Sequence, residues 1–256
     1  MTNGPESNEP ESPEASRVTR RASLARFGGL LAARLGASAG LGESATAGGP
    51  AAVAHGLVSC VLTPELTEGP YYIPREKVRR NITEGKPGAP LELHLGVLDA
   101  STCRALAGAT VDIWHCDGGG IYSGFVAAST GGPGGGPGGG GGPTDKRTFL
   151  RGIQPANAQG IATFQTIYPG WYRGRAVHIH VKVHLGGNVV HTGQLFFSDA
   201  LTDAVYKGSP YQARPNRDTR NADDSIYRNG GSKSVLAVAK SGSGYVGKVI
   251  MGVHRT

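Results

Sequence analysis

The sequence predicts an all-β fold: a β-sandwich of mostly antiparallel strands, with a disordered N-terminal leader and a glycine-rich loop. Short runs alternate apolar and polar residues with a period of two. Glycine-containing turns separate these runs. No stretch of the strand region sustains a long helical period.

The chain has 256 residues, including 42 glycines and 16 prolines. That suits one domain with unpacked extensions. Residues 1–51 are expected to be a leader and residues 52–256 the folded domain. The first sixteen residues of MTNGPESNEPESPEAS are polar, acidic and proline-rich, and bury too little apolar area to fold. Arg20 and Arg21, followed by Leu24, Phe27, Leu30, Leu31 and Leu35, resemble a twin-arginine export signal, with Ala45–Ala47 as a small-residue cleavage site. Arg26 and Arg34 interrupt its apolar region, and a cytoplasmic location is the alternative. No run is long and apolar enough for a transmembrane helix.

From Leu91 the β signals begin. Leu91, Leu93 and Leu95 share one face, Glu92 and His94 the other. Next, Val111, Ile113 and His115 alternate with Asp112, Trp114 and Cys116. IATFQTIYPG gives a strand before a Pro-Gly turn. AVHIHVKVHL and VVHTGQLFFSD form a hairpin about Gly186–Asn188, and SVLAVAKSGSGYVGKVIMGV holds two closing strands. The stretch Gly131–Pro143 has almost no side chains to pack and reads as a flexible loop. It is no phosphate cradle, because no lysine or helix signal follows it at the required spacing.

The net charge is +7. In the leader, Glu6, Glu9, Glu11, Glu14 and Glu43 balance Arg17, Arg20, Arg21, Arg26 and Arg34, so the excess lies in residues 52–256. Those basic residues are scattered rather than clustered, which argues against nucleic acid as a partner. The 3 cysteines, Cys60, Cys103 and Cys116, form no C-x-x-C pair. One disulfide is open to them. Pairing Cys103 with Cys116 along one hairpin arm would place them too far apart.

Chemistry concentrates in YPGWYRGRAVHIHVKVHL, Tyr168–Leu185. On a strand His178, His180, Lys182 and His184 share one face, and Val177, Ile179, Val181, Val183 and Leu185 face the core. Two imidazoles two residues apart can grip one metal ion. A cupin-type site would need a glutamate soon after, and none follows His180 in VKVHLGGNVVHTG. A zinc hydrolase could recruit His184 as a third ligand. Tyrosines offer another route: Tyr168 and Tyr172 precede the pair, and Tyr122 lies in GGGIYSG. Phenolates are hard, anionic oxygen donors and favour Fe(III). Arg175 places a fixed cation three residues before His178.

Four segments, in order, resemble the intradiol ring-cleavage dioxygenases of the catechol and protocatechuate type. These are LTPELTEGPYYIP (Leu62–Pro74), GATVDIWHCDGGGIYSG (Gly108–Gly124), TIYPGWYRGRAVHIHVKV (Thr166–Val183) and TGQLFF (Thr192–Phe197). The resemblance implies a β-sandwich and a non-haem Fe(III) held by Tyr122, Tyr172, His178 and His180. It makes Tyr172 the tyrosinate that leaves the metal, Arg175 the cation that stabilises the activated ring, and Gln194 a hydrogen-bonding group near the reacting carbon or oxygen. The implied partners are a small aromatic diol and O2, the implied products of the cis,cis-muconate type. Gly69, Pro70 and Tyr71 are expected either to line the substrate pocket or to pack the N-terminal arm. Where catechol enzymes usually carry Arg-Pro before the histidine pair, this chain has Arg175-Ala176, and no long helical dimerisation domain is read before the sandwich. The chain resembles the short, exported subgroup of the family, and a homo-oligomer stays open. Two rival readings remain: a non-catalytic β-sandwich binding module, and a zinc-dependent hydrolase.

Overall fold

The computed structural model describes Met1, residues 61–127, Ser129 and residues 142–255. The leader with Arg20 and Arg21, the boundary at residues 51 and 52, Cys60 and most of the glycine-rich stretch lie outside the described residues. Eight strands follow in chain order: β1 (Pro90–Asp99), β2 (Thr110–Trp114), β3 (Arg151–Pro155), β4 (Ile161–Ile167), β5 (His178–Leu185), β6 (Asn188–Phe196), β7 (Ala237–Ser241) and β8 (Gly244–Val253). Two short helices, α1 (Asp199–Val205) and α2 (Ser225–Arg228), sit between β6 and β7.

The strands form two four-stranded sheets, ordered β4-β1-β8-β7 and β3-β2-β5-β6. Every neighbouring pair is antiparallel except β1 and β8, which run parallel with Leu91 opposite Tyr245. The alternation in the sequence decides which faces meet. Leu91, Leu93, Leu95 and Val97 of β1 pack with Ala162, Phe164 and Met251 against Val111, Ile113, Ile179, Val181, Val183 and Leu195 of the other sheet. Each fully buried aliphatic side chain contributes roughly 1.5–3 kcal/mol relative to exposure. The opposite face of β1 is polar, where Glu92 bonds His94 at 2.6 Å.

The second sheet departs from simple alternation. An antiparallel sandwich commonly leaves its outer faces to solvent. Here β5 is buried on both faces from His178 to Val183. The N-terminal arm crosses the edge of both sheets, donating from Leu66 N to Thr192 O at 2.9 Å and from Ile82 N to Gln165 O at 3.0 Å. Loops and short helices cover the histidine face, turning a surface into an enclosed polar layer. That enclosure comes from segments with no β periodicity, so the alternation could not foretell it.

Three local features also differ from the expectation. β3 was not foreseen, because RGIQP is short, does not alternate and ends in proline; it forms by pairing with β2. β2 stops at Trp114, and His115 turns inward, bonded at Nδ1 to Cys116 O and at Nε2 to Thr166 Oγ1. The β5–β6 pairing shifts register between Val183 and His184, and His184 is half-buried, on the same pleat face as His178 and His180 but four residues beyond His180. Cys116 is a free, buried thiol and Cys103 is disulfide-bonded, so Cys103 and Cys116 are not partners. Among the described residues, no helix is long and apolar enough to cross a membrane.

Candidate active site

The site is built on the covered face of the second sheet. His178 and His180 are the first and third residues of β5, so the pleat points both the same way. Their Nε2 atoms lie 3.1 Å apart. His178 Nδ1–H donates to Ala176 O at 2.7 Å, which leaves Nε2 as the lone-pair nitrogen. His180 lies flat on Trp114, the residue opposite it on β2, with ring centres 4.9 Å apart and planes 5° apart. Burial holds both imidazoles neutral by pushing their pKa values well below the ordinary range.

Two loops bring the tyrosines in. Gly120 has φ +83, and a Cβ there would meet Trp171 O at 2.2 Å; a Cβ on Gly170 would meet Asp117 O at 2.4 Å. Only glycines allow these two backbones to touch. The contact sets Tyr122 edge-on to Tyr172, with ring centres 5.6 Å apart. Asp117 Oδ1 shapes the Tyr122 loop by accepting from Gly119 N at 3.0 Å and Ile121 N at 3.1 Å. Arg151 ties down the next residue: Nη2 donates to Ser123 O at 2.7 Å and Nε to Ser123 Oγ at 2.9 Å.

Tyr172 Oη lies 3.1 Å from His178 Nε2. The Tyr122 ring stands 6.1 Å from that of His180, and its Oη is buried without a hydrogen bond of ordinary geometry. Burial raises the pKa of both phenols. For Tyr122 the neighbouring Tyr172 adds to the rise, and for Tyr172 the Arg175 cation opposes it. Arg175 reaches in from the end of β5. Its Nη2 donates to Gln194 Oε1 at 2.5 Å, and Nη1 lies 3.5 Å from His178 Nε2. Gln194 is the β6 partner of His180 and donates from Nε2 to Thr67 O at 2.8 Å.

Two phenols, two neutral imidazoles, a guanidinium and an amide thus converge on one enclosed layer. The sequence matches no protein-family model and no curated protein. Solved structures do match. The chain is 36% identical to an intradiol ring-cleavage dioxygenase from Tetranychus urticae, with 76% of this chain and 95% of that one covered and a TM-score of 0.70. The chain belongs to the intradiol ring-cleavage dioxygenases. The dioxygenase domain of a dioxygenase–carbohydrate-binding protein fusion from Streptomyces sp. SirexAA-E is 30% identical, covering 74% of this chain and 96% of that one, with a TM-score of 0.53. A hydroxyquinol 1,2-dioxygenase from Pseudomonas putida DLL-E4, at 17% identity and a TM-score of 0.54, shares the fold over 80% of this chain and 71% of its own.

In this dioxygenase the residues singled out from sequence gather closely. Tyr122, Tyr172, His178, His180, Arg175 and Gln194 lie within one layer. Gly69, with φ +74, sits so close to His180 that a Cβ would approach Cε1 to 2.9 Å. Tyr71 is buried and stacked on Tyr122 at 4.5 Å, in a cluster with Trp114, Cys116 and Phe125. Pro70, between them, is half-buried. Tyr168 packs in the core and bonds Thr202 Oγ1 at 2.8 Å.

Several contributors to the dioxygenase site carried no signal of that role. Trp114 reads as ordinary core, and its stacking on His180 depends on strand register. Arg151 and Asp117 act through backbone atoms of the Tyr122 loop. Asp224, which accepts from Arg175 Nε at 3.0 Å, reads in NADDSIY only as a helix cap.

Proposed function

We propose that this dioxygenase cleaves catechol-type rings between their two hydroxylated carbons, using O2 and a ferric ion held by Tyr122, Tyr172, His178 and His180. The observation that carries the reading is the convergence of the histidine Nε2 atoms, 3.1 Å apart, with the Tyr172 hydroxyl 3.1 Å from one of them. Two imidazole nitrogens and a phenol oxygen aimed at one point can hold a shared cation. The residues fit ferric iron for a second reason. The Tyr122 hydroxyl is buried with no hydrogen bond of ordinary geometry and with the Tyr172 side chain near it, a costly state for a neutral phenol and one that metal ligation relieves.

The donor set also speaks to the choice of metal. Among the described residues, no three His, Cys, Asp or Glu side chains are grouped to hold a metal ion. A metal on His178 and His180 therefore draws its other protein ligands from phenols. Hard anionic oxygens suit Fe(III) better than Zn(II). His184, the third imidazole a zinc hydrolase would use, stands four residues beyond His180 on β5, roughly 13 Å along the strand and out of reach of one shared ion.

When bound, the ferric ion accepts charge from the catecholate and makes a ring carbon reactive to O2. The chain's own residues supply the rest. Tyr172 Oη takes one of the two catechol protons as the diol binds. Arg175 sets a fixed positive charge beside the ring as negative charge develops there. Gln194, held by Thr67 O and Arg175, orients the reacting end of the ring by hydrogen bonding. One catechol and one O2 give one cis,cis-muconic-type diacid, with both oxygen atoms retained. The twin-arginine-like leader supports export, and a site of this kind outside the cytoplasm would meet plant or lignin-derived catechols.

The test is oxygen uptake with catechol, protocatechuate and hydroxyquinol, with products identified by mass and ultraviolet spectrum. Muconic-type diacids are the expected products. Ring opening outside the two hydroxyls, or zinc rather than iron in the purified protein, rejects the reading.

A further inference from the structure

Arg175 is a long, flexible side chain, and its charge helps only if its guanidinium is aimed. A free arginine loses rotamer entropy when held in one pose. Two of its contacts face the site: Nη2 on Gln194 Oε1 and Nη1 near His178 Nε2. Neither bears a negative charge. Among the described residues, the one carboxylate on Arg175 is Asp224, whose Oδ2 accepts from Nε at 3.0 Å. We infer that Asp224 is a positioning residue that aims Arg175 at the reacting ring. The inference deepens the ring-cleavage reading above and rests on it.

Asp224 is built to hold still. It is 2% exposed and carries protein partners on both carboxylate oxygens. Oδ2 also accepts from Ala176 N at 2.8 Å, so one oxygen grips both the Arg175 side chain and the backbone beside it. Oδ1 accepts from Ile226 N at 2.7 Å and Tyr227 N at 3.1 Å, capping α2. The Asp224 amide in turn donates to Arg220 O at 3.1 Å. Every bond to the carboxylate is charge-assisted, and such bonds are roughly twice as strong as neutral ones.

The same segment backs the histidines. Tyr227 packs edge-on to Phe196 at 5.2 Å, and Phe196 lies 5.8 Å from His178. Asp224 thus joins a short helix supporting His178 to the cation beside it. Because α2 has only four residues, capping alone gives little reason to bury a carboxylate here. Pairing with Arg175 gives one. The charges neutralise each other, which prevents Arg175 from standing as an uncompensated cation beside two neutral imidazoles.

If Arg175 acts on charge that develops during turnover, misaiming it lowers kcat and spares ground-state binding. The experiment compares wild type, Asp224→Asn, Arg175→Lys and the double variant, all iron-loaded, with turnover per bound iron. Asp224→Ser serves beside Asp224→Asn, because serine keeps the cap and lacks the charge. The anaerobic affinity for 4-nitrocatechol is read by visible titration. We expect kcat to fall about 10–100-fold in Asp224→Asn, the usual range for residues that orient a metal site's neighbours. KM and the 4-nitrocatechol affinity should hold within about threefold. In the Arg175→Lys background the Asp224 change should cost less than about threefold, since lysine has no forked guanidinium for Asp224 to aim. A kcat within threefold of wild type in both Asp224 variants overturns the inference. So does a full, multiplicative loss in the Arg175→Lys background, or a parallel collapse of 4-nitrocatechol binding. A wild-type enzyme that yields no intradiol product overturns the reading of the site, and the inference with it.

Discussion

Trp114 lies flat on His180, ring centres 4.9 Å apart and planes 5° apart, because the two residues are directly opposed on β2 and β5. The indole is a wall that sets the plane of the imidazole, while the Gly69 backbone leaves no room for a side chain beside its Cε1. Trp114→Ala removes the wall and leaves a cavity. We expect a loss of about 3–5 kcal/mol in stability, with less iron retained per chain. Trp114→Phe should keep most of both. Denaturant melts and iron analysis of the two variants check this, and an alanine variant that retains wild-type iron would show that the wall is not needed.

Tyr172→Phe tests the ligand set. A ferric ion on tyrosinates colours a protein red-brown through charge transfer. Removing one phenol should shift the visible band and slow the uptake of the catechol proton. An unchanged band removes Tyr172 from the metal. Chelation of the ion should abolish the colour and lower the unfolding midpoint, because a ligand bound only to the native state stabilises it.

Arg175→Ala should keep the colour, since the guanidinium is not among the proposed ligands. Its turnover should drop by the worth of one preorganised donor, about 3–4 kcal/mol in activation energy, seen as a fall in kcat. Equal turnover in the variant would end the electrostatic role.

Arg151 anchors the Tyr122 loop through Ser123 and is itself 1% exposed beside Glu76. Arg151→Met breaks a buried pair from one side, a change that costs about 3–5 kcal/mol. Besides a lower melting point, a broadened or shifted visible band is expected, because Tyr122 loses its backbone tether. A destabilised variant with the native band would assign Arg151 to stability alone.

Asp112, on the same face of β2 as Trp114, makes stability depend on pH. Both its oxygens are buried without a hydrogen bond of ordinary geometry. Burial pushes its pKa from 3.8 up to about 7; the nearby Tyr72 hydroxyl offsets part of the rise, and Glu76 adds to it. The folded state therefore keeps a proton that the unfolded chain releases above pH 3.8. Stability from this residue is fullest below that pH, falls as pH rises toward about 7 and stays low beyond. Asp112→Asn removes the slope. Its stability relative to wild type should increase between about pH 5 and about pH 8 in urea titrations. A difference that does not change with pH would contradict the assignment.

What the sequence determined by itself was whatever repeats at short range. Period-two alternation marked β1 and the apolar face of β5, and so the sandwich. The two-residue spacing put His178 and His180 on one side of a strand, and four family-like segments in order pointed to the tyrosines, Arg175 and Gln194. The tertiary structure decided whatever depends on distant chain segments meeting. Strand register set Trp114 under His180. Loops without periodicity buried a face that alternation would leave wet. Asp224 found Arg175 across 49 residues of chain. The physical reason is that side-chain direction along a strand is a local property of the backbone, whereas a partner across the fold is chosen by the packing of the whole, which leaves no spacing to read.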